Sequence, residues 1–267
     1  NPLTPGLYNQ AMDGKPLVVV TGSPAWRCEV ESLLNALGCG QVWYGEPKGY
    51  IARLVDDHAA LVLVDGADPG WCAWVTAPKV NPATRRVPVI VVADDPARRE
   101  DALTAGADLA LTLAELAACL PDIVARYARV QREATASELA RQCAGPLPPQ
   151  ARRAIELFNA GEYYRQHDLL EALWIAENGL VRDLYRAILQ VGVAYYQVTR
   201  GNRRGALKML LRAVQWLNVL PAICQGVDVA RLRDDAARVR VALEALPPDA
   251  DLSQFDRSLL GSVHLVE

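Results

Sequence analysis

The chain has 267 residues, of which 51% are hydrophobic and 22% charged, enough to build a packed core and too apolar for wholesale disorder. Twenty-eight basic residues stand against 31 acidic ones, so the net charge of −3 leaves no global basic footprint for nucleic acid. The six cysteines form no C-x-x-C pair and no zinc-type spacing with histidine, which points away from a zinc module or a disulfide scaffold and toward small buried thiols. The apolar runs are of strand length, well below a membrane span, and no secretory leader is legible. The expectation is a soluble, cytoplasmic protein without a membrane partner.

Residues 1–131 alternate short β-rich runs with helical patterns. Leu17–Thr21 reads as a buried strand, followed by Gly22; Ser23 and Pro24 suit the N-cap and first position of a helix reaching Leu37. Residues 41–44 form a second strand and 47–57 a helix. The apolar runs 60–64 and 87–92 are the third and fourth strands. The stretch between them, which holds Trp71 and Trp74, reads as a long loop whose indoles pack under it, against the helical half, or on a second subunit. A helix at 96–105, a strand at 109–112 and a helix at 113–130 complete the half. Continuous apolar strands alternating with helices define a doubly wound α/β fold with a five-stranded parallel sheet.

From residue 132 the β pattern stops. Residues 132–150, with Gly145-Pro-Leu-Pro-Pro, read as a connector. Apolar residues then recur at helical spacing, giving an all-helical domain over 151–246 with helices at 150–160, 162–177, 180–199, 203–219 and 228–246. The last segment, 247–267, has no periodicity and is expected to run along a surface.

In the second half, His167, Glu171 and Trp174 are spaced i, i+4, i+7 and share a helix face. Gln190 lies inside an apolar run of the next helix and is a natural partner for them. One reading is a buried His167–Glu171 hydrogen bond that locks the core under Trp174. A second is a small-molecule or divalent-metal site formed by His167, Glu171 and Gln190 with Asp168 nearby, although a single histidine is thin for zinc. A third is acid–base chemistry at His167 oriented by Glu171. Asn202, after Gly201, is placed to cap a helix. Arg200, Arg204, Lys208 and Arg212 recur every fourth residue, with Arg203 beside them: a solvated face, or an edge for nucleic acid or another anion.

Two resemblances rest on these residues. The first half resembles the response-regulator receiver family: strand three ends in Asp65, where a receiver carries its phosphoacceptor, and VPVIVVADD followed by ALTAGADLALT is similar to the receiver's fourth and fifth strands. The chain departs from that family where its chemistry lies. Thr21-Gly22-Ser23 stands where a receiver has its Mg²⁺-binding acidic pair, Ala93 where it has the switch hydroxyl, and Leu113 where it has the lysine; Asp94 and Asp95 follow a different strand. The resemblance thus implies a pseudo-receiver used for docking or dimerisation. The second half resembles the family catalogued as domain of unknown function 309, through Phe158, Gly161, Tyr163, His167, Asp168, Leu170, Glu171, Trp174, Gln190, Gly201, Asn202, Gly205 and Ala206. That likeness implies a compact all-helical domain and no particular activity. The expected function is a non-catalytic regulatory or scaffold protein with a protein partner or self-association. The alternatives are the small-molecule or metal site, hydrolytic or not, and a nucleic-acid-binding regulator.

Overall fold

The computed structural model describes residues 15–128, 133–247 and 250–266. The chain divides into two compact units, Asn1–Gln131 and Arg132–Glu267.

In the first unit, strands β1 (Leu17–Thr21), β2 (Gly40–Tyr44), β3 (Leu61–Asp65), β4 (Val89–Val92) and β5 (Leu109–Leu111) form one parallel sheet in the order β2-β1-β3-β4-β5. Alternate residues of these apolar strands supply two cores. Val18, Val20, Leu61, Leu63 and Ile90 pack with α1 (Arg27–Ala36) and α5 (Leu113–Tyr127). Val19, Val62, Val64, Val89 and Val91 pack with α2 (Tyr50–Asp56), α3 (Trp71–Val80) and α4 (Pro96–Thr104). This is the flavodoxin-type order, in which the loops after β1, β3 and β4 converge at one end of the sheet.

Three expectations for this unit change. Helix α1 starts at Arg27 rather than at Pro24 and has no side-chain cap, because the chain first makes a turn in which the Arg27 N–H bonds to the Pro24 carbonyl at 3.2 Å. The segment read as a loop is α3, which Pro78 and an all-round apolar surface had hidden from a periodicity test. Its Trp74 is 1% exposed, meets the ring of Tyr50 edge-on at 4.7 Å and accepts the Tyr50 hydroxyl on its carbonyl. Trp71 is buried too and carries the Arg98 guanidinium at 4.8 Å, so both indoles belong to the unit's own core.

The second unit is built around α9 (Arg182–Thr199), between α8 (Tyr163–Ala176) and α10 (Arg203–Leu217), with α7 (Pro149–Asn159) against α8 and α11 (Val229–Glu244) against α10. Phe158, Tyr163 and Tyr195 form an aromatic trio with centroid separations of 5.3, 5.6 and 5.7 Å. Gly161, at φ +76°, turns the chain between the first two of them. Gly192 lets α8 approach α9: a Cβ there would lie 2.4 Å from Gln166 Nε2.

The expected connector contains α6 (Glu133–Cys143), made of strong helix formers and ended by Gly145 and Pro146. The cysteine expectation holds only for Cys39, a free and buried thiol. Cys143 and Cys224 form a disulfide that ties α6 to a two-stranded hairpin, β6 (Ile223–Cys224) and β7 (Val227–Asp228), while Cys28, Cys72 and Cys119 are exposed. A pairing across 81 residues leaves no local spacing to read. The tail is not a surface strap: Leu252, Phe255 and Val263 join the helical core, Leu265 bridges Val227, and Asn159 holds the Val263 backbone through two hydrogen bonds. Pro248 lies outside the described residues. Among the described residues no helix is long and apolar enough to cross a membrane.

Closing a loop of this length restricts the unfolded chain strongly. Replacing both Cys143 and Cys224 by serine is expected to lower the stability of the helical unit by roughly 2–4 kcal/mol in urea unfolding, and dithiothreitol is expected to do the same to the native protein. Equal midpoints with and without the bridge would contradict the role assigned to it.

Candidate functional site

The converging loops of the α/β unit hold Asp65. It ends β3 opposite Val92, is 8% exposed, and its Oδ1 accepts the Ala67 N–H at 3.0 Å. Burial pushes its carboxyl above the usual carboxylate range; the Ala67 hydrogen bond pulls the other way, and neighbouring Asp68 adds repulsion. Gly22, at φ +80°, has no room for a side chain, because a Cβ would meet Asp68 Oδ2 at 2.8 Å. Asp68 Oδ1 in turn accepts the Gly70 N–H at 2.6 Å. Both carboxylates therefore serve the backbone of their own loop, as aspartates in turns do. Thr21 is fully buried with its hydroxyl unpartnered. Ala93 is packed so close to Gly66 that a Cβ on the latter would fall 2.6 Å from the alanine methyl. Leu113 opens α5 behind Thr112, which makes a capping box with Glu115. Asp95 caps α4 through the Ala97 N–H, and Asp94 is exposed.

In the helical unit, the predicted cluster separates. His167 lies on α8 with its side chain 33% exposed, and its Nδ1 meets Asp168 Oδ1 at 3.2 Å. Among the described residues no hydrogen bond joins His167 to Glu171 or Gln190. The buried locking pair is thus corrected: the spacing identifies a shared face, but that face is half open to solvent. The polar group α8 does bury is Gln166, fully enclosed against Gly192, with Nε2 donating to the Tyr163 carbonyl at 3.0 Å. A glycine inside an apolar helix was the available signal for it. Among the described residues, no three His, Cys, Asp or Glu side chains gather as a metal site.

Trp174 makes contacts that sequence reasoning missed. The Arg186 guanidinium of α9 lies 4.6 Å from the Trp174 ring centroid and 3.8 Å from that of Trp216 on α10, while Arg182 lies 5.7 Å from Trp174. One cation between two indoles joins three helices, each contact contributing about 0.5–2 kcal/mol by cation–π attraction. Gln190 follows Arg186 by one helical turn and Arg212 precedes Trp216 by one, so both share this face. The recurrence of Arg182, Arg186 and Gln190 at every fourth residue was legible; their partners on other helices were not.

The basic stripe also divides. Arg203 turns inward and donates to the carbonyls of Leu243 at 2.8 Å and Leu246 at 3.0 Å, capping the end of α11. Arg212 is half-buried, which leaves Arg200, Arg204 and Lys208 exposed. Asn202 has the capping role expected of it: its Oδ1 accepts the Gly205 N–H at 2.9 Å and its Nδ2 donates to Gln197 at 2.7 Å. A shallow depression lined by Arg153, Leu157, Arg165, Asp168 and Leu169 lies between α7 and α8, with Arg153 paired to Glu156 on α7 and Arg165 to Glu162 at the start of α8.

Residues 151–209 match a family model described as "Domain of unknown function (DUF309)". An uncharacterized protein of Aquifex aeolicus (strain VF5) is 23% identical over 77 residues, which is 28% of this chain. The match spans only 23% of that relative's length. A crystal structure of a signal receiver domain of a two component signal transduction histidine kinase from Clostridium thermocellum is similar at 19% identity, covering 41% of this chain and 94% of the other, with a TM-score of 0.35. The sheet order gives the first unit a flavodoxin-type fold, and the family match covers the central helices of the second.

These geometries separate structural from accessible positions. Phe158→Ala is expected to cost about 3–5 kcal/mol, as for other buried aromatics. Asn202→Ala is expected to cost about 1 kcal/mol through the lost cap. His167→Ala, half exposed and paired only to Asp168, is expected to stay within about 0.5 kcal/mol of the parent. Chemical denaturation of the three variants checks the order, and a His167→Ala loss near that of Phe158→Ala would restore the buried-lock reading.

Proposed function

We propose that the α/β unit is a receiver-type module that does not take a phosphoryl group, and that it acts as a fixed docking or self-association module in a non-catalytic regulatory or scaffold protein. The observation that carries this reading is the surroundings of Asp65. Phosphoryl transfer requires cations and donors positioned around the acceptor and the departing oxygens. Here the loop after β1 offers Gly22 and Ser23 rather than carboxylates, the Ala93 position offers a methyl group, and Leu113 offers no ammonium. The neighbouring acid Asp68 accepts the Gly70 N–H. An acceptor in these surroundings has neither a metal to neutralise the incoming phosphate nor a lysine to retain it. What the fold supplies in their place is a rigid set of loops and helices whose shape is set by packing. The helical unit then contributes a second binding surface.

Two measurements test this. After incubation with acetyl phosphate and Mg²⁺, intact mass is expected to be unchanged; a stable gain of one phosphoryl group, lost in Asp65→Asn, would overturn the proposal. The second follows from the raised carboxyl of Asp65. Burial disfavours its charged form, so the contribution to stability is full at low pH and falls as pH rises through the raised value. The side-chain amide introduced by Asp65→Asn would keep the bond to Ala67 without the charge. This variant is therefore expected to melt a few degrees above the parent at neutral pH, with the gap closing as the buffer is acidified; a gap that widens at low pH would contradict the burial argument.

A further inference from the structure

Helix α8 begins, α9 ends and α10 begins at one end of the helical unit. Asn202 joins the last two, donating to Gln197 of α9 at 2.7 Å while its Oδ1 caps α10. At this end Tyr164 of α8 is 68% exposed. Its ring lies 6.1 Å from that of Tyr196 on α9, and Tyr196 packs on the helical core. The core thus holds one ring, which supports the other in solvent. Arg200 follows Tyr196 by one helical turn, and Arg204 and Lys208 continue the four-residue step on α10. All three cations are exposed and, among the described residues, make no ion pair. The acids on the adjoining helix ends are engaged: Glu162 with Arg165 at 3.8 Å and Glu244 with Arg240 at 3.6 Å, while Asp168 lies beside His167 at 3.2 Å. Arg204 stands in the first turn of α10, which carries no acid and where the helix dipole disfavours a cation. Because Asn202 caps that turn, the positive surplus belongs to side chains rather than to backbone N–H groups.

We propose that this end of the helical unit binds single-stranded nucleic acid, with a base stacked on Tyr164 and the neighbouring phosphates running along Arg200, Arg204 and Lys208. The pairing of an open ring with a row of unpaired cations selects the partner. A single strand offers both an uncovered π-face on each base and a regular series of negative charges. A duplex keeps its base faces inside the stack, and an acidic peptide brings charge without the ring. The net charge of −3 does not oppose this, because exposed charges act over only about 10 Å at 0.1 M salt. The surface lies outside the α/β unit and stands whether or not Asp65 takes phosphate.

The test is fluorescence anisotropy of the full chain with labelled oligouridylate and oligothymidylate of about twelve nucleotides, and with an A·T duplex of the same length, over a range of salt. The parent is expected to bind the single strand, with log affinity falling against log salt at a slope of about −2 for three phosphate contacts. Oligouridylate alone bound would assign RNA; oligothymidylate alone, DNA; both, a surface indifferent to the sugar. Tyr164→Leu removes the ring but no charge, so it is expected to weaken binding about 5- to 150-fold and leave the slope unchanged. Arg204→Gln is expected to make the slope shallower by about 0.7, and Lys208→Gln repeats that arm at an independent position. All three side chains are exposed, so the variants are expected to melt with the parent. No binding by the parent at low salt would overturn the proposal. So would an affinity unchanged in Tyr164→Leu, a duplex bound more tightly than the single strand, or polyglutamate displacing the strand as well as unlabelled oligouridylate does. Each of these would reduce the surface to a general attraction for anions.

Discussion

Between Arg182 and Thr199 the chain must bury one side of a helix completely while carrying Arg182, Arg186 and Gln190 along another. Leu184, Ile188, Val191 and Tyr195 are at most 1% exposed, so the apolar side is fixed by close packing on α7, α8 and α10. Close packing tolerates little movement. Gly192 and Gln166 set the separation of α8 from α9, because any side chain at 192 would strike the amide. With the helices held that near, the polar stripe of α9 has nowhere to go except between the aromatic residues of its neighbours. The Trp174–Arg186–Trp216 stack is therefore a consequence of the core packing, and the unpartnered donors beside it follow from the same geometry.

The residues that carry the resemblance of the second unit divide along this line. Phe158, Gly161 and Tyr163 build the aromatic core and the turn that leads into α8. Gly201, Asn202, Gly205 and Ala206 start α10 at the right place and let it lie close to α9: Asn202 caps the helix, and Gly205 leaves room for that cap. These residues make the frame. His167, Glu171, Trp174 and Gln190 lie on the half-open face that the frame presents.

Much of the architecture was legible because local rules decided it. The valine- and leucine-rich strands could be nothing else at their length and spacing, and Pro149, Gly161 and Gly201 marked helix ends by the backbone angles they impose or allow. Helix α3 was hidden because two tryptophans, Pro78 and a continuous apolar surface erase the polar side on which periodicity depends. The Cys143–Cys224 bridge and the buried tail were hidden because their partners are distant in sequence. The face of His167, Glu171 and Trp174 was read correctly as a face, but spacing alone carries no information on what covers it. Arg186 was missed for the converse reason: its neighbours belong to two other helices. At the sheet's end the reading was easier, since the surroundings of Asp65 are set by the identity of residues at fixed positions after known strands.

The Trp174–Arg186–Trp216 stack is where the packing of α8, α9 and α10 is read most directly, and its indoles report on it. The chain contains six tryptophans, of which Trp174 and Trp216 place a buried, unpartnered Nε1 there. In ¹⁵N-resolved spectra of the full protein, Arg186→Gln is expected to shift the Trp174 and Trp216 indole signals and leave the other four in place. Indole signals of Trp174 and Trp216 that stay fixed in that variant would contradict the account.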